Sequence, residues 1–579
     1  MLFSLPAETL NCVMFELYND NPMSLESFRL ASKQAAEAAE PCFYRKIALR
    51  NEALHIEDEL EAPAFLGQYN LIKSPLPNAS LAVTQGIVLR LADTKDSISR
   101  YVRDLEIGPM TQELFSSISE ETLVKVLRNL HHLEVFRWTT SNPIPLPVLH
   151  IFHDAWPRAR LHATLLDRHP DQTLDTTLLN SPQLYTLSIT VLSHEWLERV
   201  YTEYRRLTDI IMNSSGLRVL KLMNQNSQMA IADLDGKDTG PTRLWLEATA
   251  NSLPALEELR IPGPSSYNLD TDYSICWKNR MNWQALQRLD VGHYAPHPFL
   301  KAITGEVPGL KVFSWGLQSI WGPRSQPWGT PVYANIVKTF FLSIQGLEEM
   351  CIRSWDNSGM MVPEPDNHNW HGYIRSSDEL DNPTGVESLA EKPRLWLSIL
   401  DQHGPTLRKL SISHETTWWG GWNEGMIWRL SNKAPRIEHL TLEVHFPPYD
   451  HNGGLREWSE SCHLALASFM HLHTLIVYYR VGDDIYTEQE DFYITEFHEE
   501  IARNEVVKLL EVIQLHNPSS PMEKLVVVFA NREKTNEWRF EARRIYDGTR
   551  RGSMVLGKMV MIGDLRSEDR STSVQRSET

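Results

Sequence analysis

The sequence predicts an α/β protein: a short N-terminal module of three helices, then an irregular solenoid of strand and helix units with a curved parallel sheet inside and helices outside. Three observations predict it. A hexad of the form Leu-x-x-Leu-x-Ile recurs twelve times between Val102 and Val527. One copy arises by chance in any globular protein, but twelve call for a repeating architecture. Between the copies lie runs of helical periodicity, such as Trp196 to Met212 with Leu197, Val200, Tyr204, Leu207 and Ile211 on one face, and Arg394 to His403 after Pro393. The first fifty residues, by contrast, carry short amphipathic patterns and no hexad.

Within those fifty residues, Leu5-Pro6-Ala7-Glu8 opens a helix whose Leu10, Val13, Met14 and Leu17 recur at three- and four-residue spacing, with Pro6 in the tolerant first turn. Asn19-Asp20-Asn21-Pro22 is a turn signal. Ser24 then caps a second run through Leu25, Phe28, Leu30 and Ala31 to Lys33. A third helix covers Ala35 to Ala39, and Pro41 ends the pattern. So small a module buries little surface, and apolar residues left on its outer face favour a partner helix or the next domain.

The order Leu5-Pro6-x-Glu8-x-Leu10-x-x-Val13-x-x-x-Leu17, Ser24-Leu25-x-x-Phe28-Arg29-Leu30-x-Ser32-Lys33 and Ala39-x-Pro41-x-Phe43-Tyr44-Arg45 resembles an F-box over residues 3–48. The resemblance implies docking onto a Skp-type adaptor and, through it, a cullin of an SCF-type ubiquitin ligase. It assigns adaptor binding to Leu5, Pro6, Leu10, Val13, Leu17, Leu25, Phe28 and Leu30. The alternative is an ordinary helical cap on the array that follows. Residues 1–50 are the module, 51–98 a joint, 99–548 the repeats and 567–579 a disordered tail of Ser, Arg, Glu and Thr.

The twelve hexads begin at Val102, Leu133, Leu184, Leu217, Leu256, Leu286, Leu310, Leu347, Leu407, Ile437, Leu472 and Met522. Their spacing is longer and less regular than the roughly 20 to 29 residues of a standard leucine-rich repeat. Period-2 geometry turns the fifth residue of each copy outward on the sheet: Glu106, Arg137, Ser188, Lys221, Arg260, Asp290, Ser314, Cys351, Ser411, Thr441, Ile476 and Val526. Most are polar or small, as a solvated binding face requires. Ile476 and Val526 are apolar, which predicts cover over the last strands by a C-terminal helix around Asn536 to Tyr546. The hexads at Val102 and Leu133, with Pro143 to Pro147 after the second, resemble fungal F-box proteins with divergent leucine-rich repeats.

Composition limits the function classes. The 579 residues carry a formal net charge of -18, from 74 acidic and 56 basic residues, so nucleic acid and anionic membranes are repelled overall. Cysteines at 12, 42, 276, 351 and 462 form no Cys-x-x-Cys pair and suit a reducing compartment. The N-terminus lacks the pattern of a signal peptide, and no stretch reaches about 18 apolar residues. Cytosol or nucleus is the expected location.

Catalytic signatures are missing: there is no P-loop, no Gly-x-Gly-x-x-Gly, no Gly-x-Ser-x-Gly and no His-Glu-x-x-His. His131-His132 and His471-x-His473 lack cysteine partners and read as surface residues rather than metal ligands. No cofactor is expected. Aromatic density is the best pointer to specificity, because ten of the 18 Trp fall between Trp315 and Trp428. The long insertion at about 353–393 holds Trp355 and Trp370, and Trp418-Trp419-Gly420-Gly421-Trp422 follows. With Arg260 and Asp290, these tryptophans are the expected substrate-binding residues, packing within the repeats being the competing role. The expectation is a non-catalytic receptor that binds an adaptor and a protein substrate, with neither nucleic acid nor membrane as partner. A scaffold without ligase function and, less favoured, an enzyme with a site dispersed around Asp290 and His293 are the alternatives.

Overall fold

The structure is a computed structural model. It describes residues 10, 13–14, 30, 32–49, 77–108, 118–140, 142–166, 174–191, 197–224, 244, 246, 252–261, 271–292, 297–317, 331–354, 398–414, 424–445, 460–480, 504, 506–513, 515–517, 520–530, 537–545, 553–556 and 560–562. The chain forms two compact units, one of residues 1–262 and 279–285, the other of 263–278 and 286–579.

In the first unit seven parallel strands pair in chain order: β1 (Lys46–Leu49), β2 (Asp104–Ile107), β3 (Val135–Trp138), β4 (Arg160–Leu165), β5 (Leu184–Val191), β6 (Val219–Asn224) and β7 (Glu258–Arg260). Helices Pro77–Ala92, Glu120–Asn129, Leu146–Ala155, Thr176–Leu179 and Leu197–Asn213 alternate with the first six strands, as parallel neighbours require a crossover. Tyr204, Leu207 and Ile211 of the predicted stripe are buried.

In the second unit seven more strands run parallel: β8 (Arg288–Asp290), β9 (Val312–Leu317), β10 (Glu349–Ser354), β11 (Lys409–His414), β12 (His439–His445), β13 (Thr474–Arg480) and β14 (Lys524–Ala530). Helices again intervene, at His297–Ile303, Pro331–Leu342, Glu424–Lys433 and Glu460–Ala467 and over residues 398–403 and 506–513. The sheet then changes character. β15 (Glu537–Ile545) is antiparallel to β14, and β16 (Ser553–Leu556) and β17 (Val560–Ile562) are antiparallel to β15.

All twelve hexads are strands, and all three apolar positions of every copy are buried. The first leucine leads into the strand, while the second and third alternate onto one face, where the helices pack. Two parallel strands escaped the pattern. β1 fits it with Tyr44 in first place, and β4 carries Arg158 and Ala163 where leucine and isoleucine are expected.

The C-terminal helix expected at Asn536 to Tyr546 is strand β15 instead. Trp538, Phe540 and Ala542 alternate with Arg539, Glu541 and Arg543, a period-2 pattern that suits a strand and outweighs the Glu and Arg content favouring a helix. Ile476 and Val526 are buried as expected and cluster with Val528 and Tyr478.

The third N-terminal helix is longer than its pattern. It runs Lys33–Phe43 and contains Pro41. The proline lies close enough to the end that Tyr44 N–H still closes the last turn on Glu40 C=O at 3.0 Å. At the other end Ser32 Oγ accepts Ala35 N–H at 3.0 Å. Ser32→Ala should cost about 1 kcal/mol of local stability, read as roughly fivefold faster amide exchange over Ala35 to Cys42.

Candidate binding face on the parallel sheet

The face of each sheet opposite the buried hexad residues is the candidate binding face. In the second unit the predicted outward residues form one continuous row: Asp290, Ser314, Cys351, Ser411, Thr441, Ile476 and Val526 are consecutive register partners across β8 to β14. In the first unit Glu106 pairs with Arg137, and Ser188 pairs with Lys221 and Arg260. Between these pairs lies β4, which the sequence reading lacked. Arg137 faces His162, and His162 faces Thr186 rather than Ser188.

The expectation of a solvated row holds for only part of it. Arg137, Lys221, Arg260, Asp290, Cys351, Ser411 and Thr441 are half-buried, whereas Glu106, Ser188 and Ser314 are buried. Thr139 Oγ1 donates to Glu106 Oε1 at 3.4 Å and meets part of that carboxylate's hydrogen-bonding need. Strand alternation gives direction, but it does not say how deep a residue sits.

Charge is organised along the strand starts. The second position of many hexads is charged, and where neighbouring copies carry opposite signs the partners meet: Arg103 with Glu134 at 3.4 Å, Lys311 with Glu348 at 3.0 Å and Arg408 with Glu438 at 3.5 Å. Arg218 and Glu257 are 3.9 Å apart. Beneath these pairs a repeated main-chain joint holds the register. Glu348 and Glu349 N–H both donate to Lys311 C=O, and Glu438 and His439 N–H both donate to Arg408 C=O. Such exposed pairs contribute at most about 1 kcal/mol each. Their larger effect is to penalise a shifted register, which would set like charges side by side.

Among the described residues a polar cluster lies on β2 to β5. Asp104 accepts a bidentate pair from Arg137, with Nε and Nη2 each at 3.0 Å. Next to Arg137 stands His162, whose Nε2 is buried and has no hydrogen-bond partner. Burial first, then the Arg137 and Arg160 charges, push its pKa down to about 4. The imidazole is therefore neutral at physiological pH. The register slips between Leu161 and His162, leaving Tyr185 as an extra residue on β5. Bulges are rare between parallel strands, and they re-aim side chains. Here Tyr185 comes to lie 5.5 Å from the His162 ring and 4.6 Å beneath the Arg160 guanidinium.

The individual site residues fare unequally. Leu10 and Val13 pack half-buried against a small cluster of Met14, Ala39 and Cys42, while Leu30 is 76% exposed. Leu5, Pro6, Leu17, Leu25 and Phe28 lie outside the described residues, as do Trp355, Trp370, Trp418, Trp419, Trp422 and His293. Arg260 sits in register with Lys221. Asp290 accepts Gly292 N–H at 2.9 Å, where Gly292 has φ of 69°. Its carboxylate thus shapes the turn after β8, a structural task that competes with substrate binding. Among the described residues no group of three or more His, Cys, Asp or Glu could hold a metal ion, and no helix is long and apolar enough to cross a membrane.

The sequence reading missed Asp104, Arg160, His162 and Tyr185. The signal for β4 was present in Leu161, Ala163 and Leu165 at period 2, but the slip that gathers the four residues belongs to strand pairing. No family model matches the chain, and no curated protein matches it.

Proposed function

We propose that this chain is a non-catalytic substrate receptor, an F-box protein with divergent leucine-rich repeats, in an SCF-type ubiquitin ligase. The N-terminal module would bind a Skp-type adaptor and the sheet face a protein substrate, and ubiquitin transfer would follow from proximity. The observation that carries the reading is the N-terminal cluster of Met14, Ala39 and Cys42, a small core of its own with helical Leu30 left 76% exposed. A lone leucine so far out of its own core gains from a partner helix, and about 25 cal/mol per Å² of apolar area is available on docking. The strand and helix repeat supports the second half of the reading by offering a broad face lined with polar side chains. Work in the cytosol or nucleus would follow from it.

A scaffold without ligase function is favoured by a different detail, since Leu10 and Val13 already spend part of their apolar surface inside the chain. Co-purification with a Skp-type adaptor separates the two. A stable complex with the parent, lost in a folded variant carrying Leu5→Ala, Pro6→Ala and Leu10→Ala, is the expected result. A folded parent that recovers no adaptor would leave the scaffold.

A further inference from the structure

We propose that Arg160, Tyr185 and His162 on the first unit form a recognition point for an acidic side chain, an aspartate or glutamate in an extended segment of a partner protein. The inference stands on this unit alone and holds for a receptor or a scaffold.

Arg160 is a cation of this face without a carboxylate partner among the described residues, as is the exposed Lys46 of β1. Arg103, Arg137, Arg218 and Lys221 are each paired with a carboxylate, to Glu134, Asp104, Glu257 and Glu258. Arg160 is exposed and rests on the Tyr185 ring, with no carboxylate partner among the described residues. The ring is itself held, because Tyr185 Oη donates to Glu257 Oε2 at 3.2 Å. A guanidinium stacked on a fixed ring keeps its donor fork free and loses little freedom when it binds a carboxylate.

The slip between Leu161 and His162 produces this arrangement by bringing Tyr185 beside His162. Behind Arg160 the His162 Nε2 has no partner, while Asp104 takes the Nε and Nη2 donors of Arg137. One guanidinium, Arg137, is thus paired and the other, Arg160, is not, beside an unpartnered imidazole nitrogen, and one further negative group would pair the second.

The chain's net charge of -18 opposes free anions at long range, so a bare ion gains little here. A carboxylate carried on a peptide adds carbon contacts to the Tyr185 ring and to Val135, the register neighbour of Arg160. Nucleic acid fits poorly, since its affinity rests on many phosphate contacts and, among the described residues of this face, Arg160 is the guanidinium shown without a carboxylate.

The test uses the full-length chain and a fluorescein-labelled decapeptide of alternating Glu and Gly. Saturable binding is expected, weakened about tenfold by Arg160→Gln and partly restored by Arg160→Lys. The Gln and Gly counterpart should not compete, nor should inorganic phosphate at equal concentration. In histidine-labelled protein the His162 titration should move to higher pH on adding peptide, because the new carboxylate offsets Arg137 and Arg160. A merely structural Arg160 would leave that titration unmoved. The proposal fails if the parent does not bind, if Arg160→Gln binds equally, or if the Gln peptide or phosphate displaces the probe as well. Adaptor co-purification from the same preparations keeps the two readings apart: adaptor bound without peptide overturns this inference alone, and peptide bound without adaptor overturns only the receptor reading.

Discussion

Gly404→Ala should destabilise the second unit by about 3 kcal/mol, the upper end of what an overpacked site costs. Gly404 follows the helical residues 398–403 and lies against the end of helix Glu424–Lys433. A β-carbon added there would overlap the main-chain carbonyls of Lys433 and Leu400. Neither can swing aside as a side chain would. Leu400 C=O accepts Gly404 N–H at 2.8 Å, and Lys433 closes its helix, whose end is also tied down by an ion pair to Asp401. Relief therefore requires the two helices to separate over buried Leu400, Ile427 and Leu430. Chemical denaturation followed by tryptophan fluorescence is the measurement. An unchanged midpoint would mean that the two helix ends are not held as close as described.

His403→Ala should cost a similar amount, about 3 kcal/mol, by leaving two main-chain groups unpaired. His403 is fully buried. Its Nδ1 accepts Leu347 N–H at 3.2 Å, and its Nε2 donates to Phe341 C=O at 3.0 Å. Those two partners select the neutral tautomer with the proton on Nε2. The ring therefore ties the end of helix Pro331–Leu342 to the start of the hexad that becomes β10. Burial lowers its pKa in the fold below the ordinary histidine value of 6.5.

The pH dependence follows from that direction. Below 6.5 the unfolded chain takes up a proton that the folded chain refuses, so His403 adds stability above that pH, and the contribution is lost as the pH falls toward the folded value. His162, lowered to about 4, acts in the same sense. Denaturation midpoints should fall between about pH 7 and pH 5, and less steeply in His403→Ala than in the parent. A variant as pH-sensitive as the parent would show that His403 carries none of the effect.

Much of this fold is written locally. Each hexad, such as Leu217-Arg218-Val219-Leu220-Lys221-Leu222, states its own strand, its buried face and its outward residue. The stripe through Tyr204, Leu207 and Ile211 does the same for its helix. The charge ladder was also legible, since Arg103, Glu134, Lys311, Glu348, Arg408 and Glu438 hold the same hexad position with alternating sign. Segments with weak or mixed local signals were not legible. β4 lost two of its three apolar markers, and β15 mixed helix-forming Glu and Arg with a strand's alternation. The Trp-rich stretches chosen for specificity lie outside the described residues, and the best-defined cluster came instead from Arg160, His162 and Tyr185, which no motif marks.

The sequence by itself determined the twelve hexad strands and the side chains they send into the core, because periodicities of two and about 3.6 residues are properties of a single segment. Only the tertiary structure decided which strand lies beside which, that the pairing slips at Leu161, that Glu106 and Ser314 are buried while Arg160 is exposed, and that Gly404 meets the carbonyl of Lys433. Those facts depend on pairs of segments distant in sequence. Their energies come from the contacts made when the segments meet, and neither segment carries that information alone.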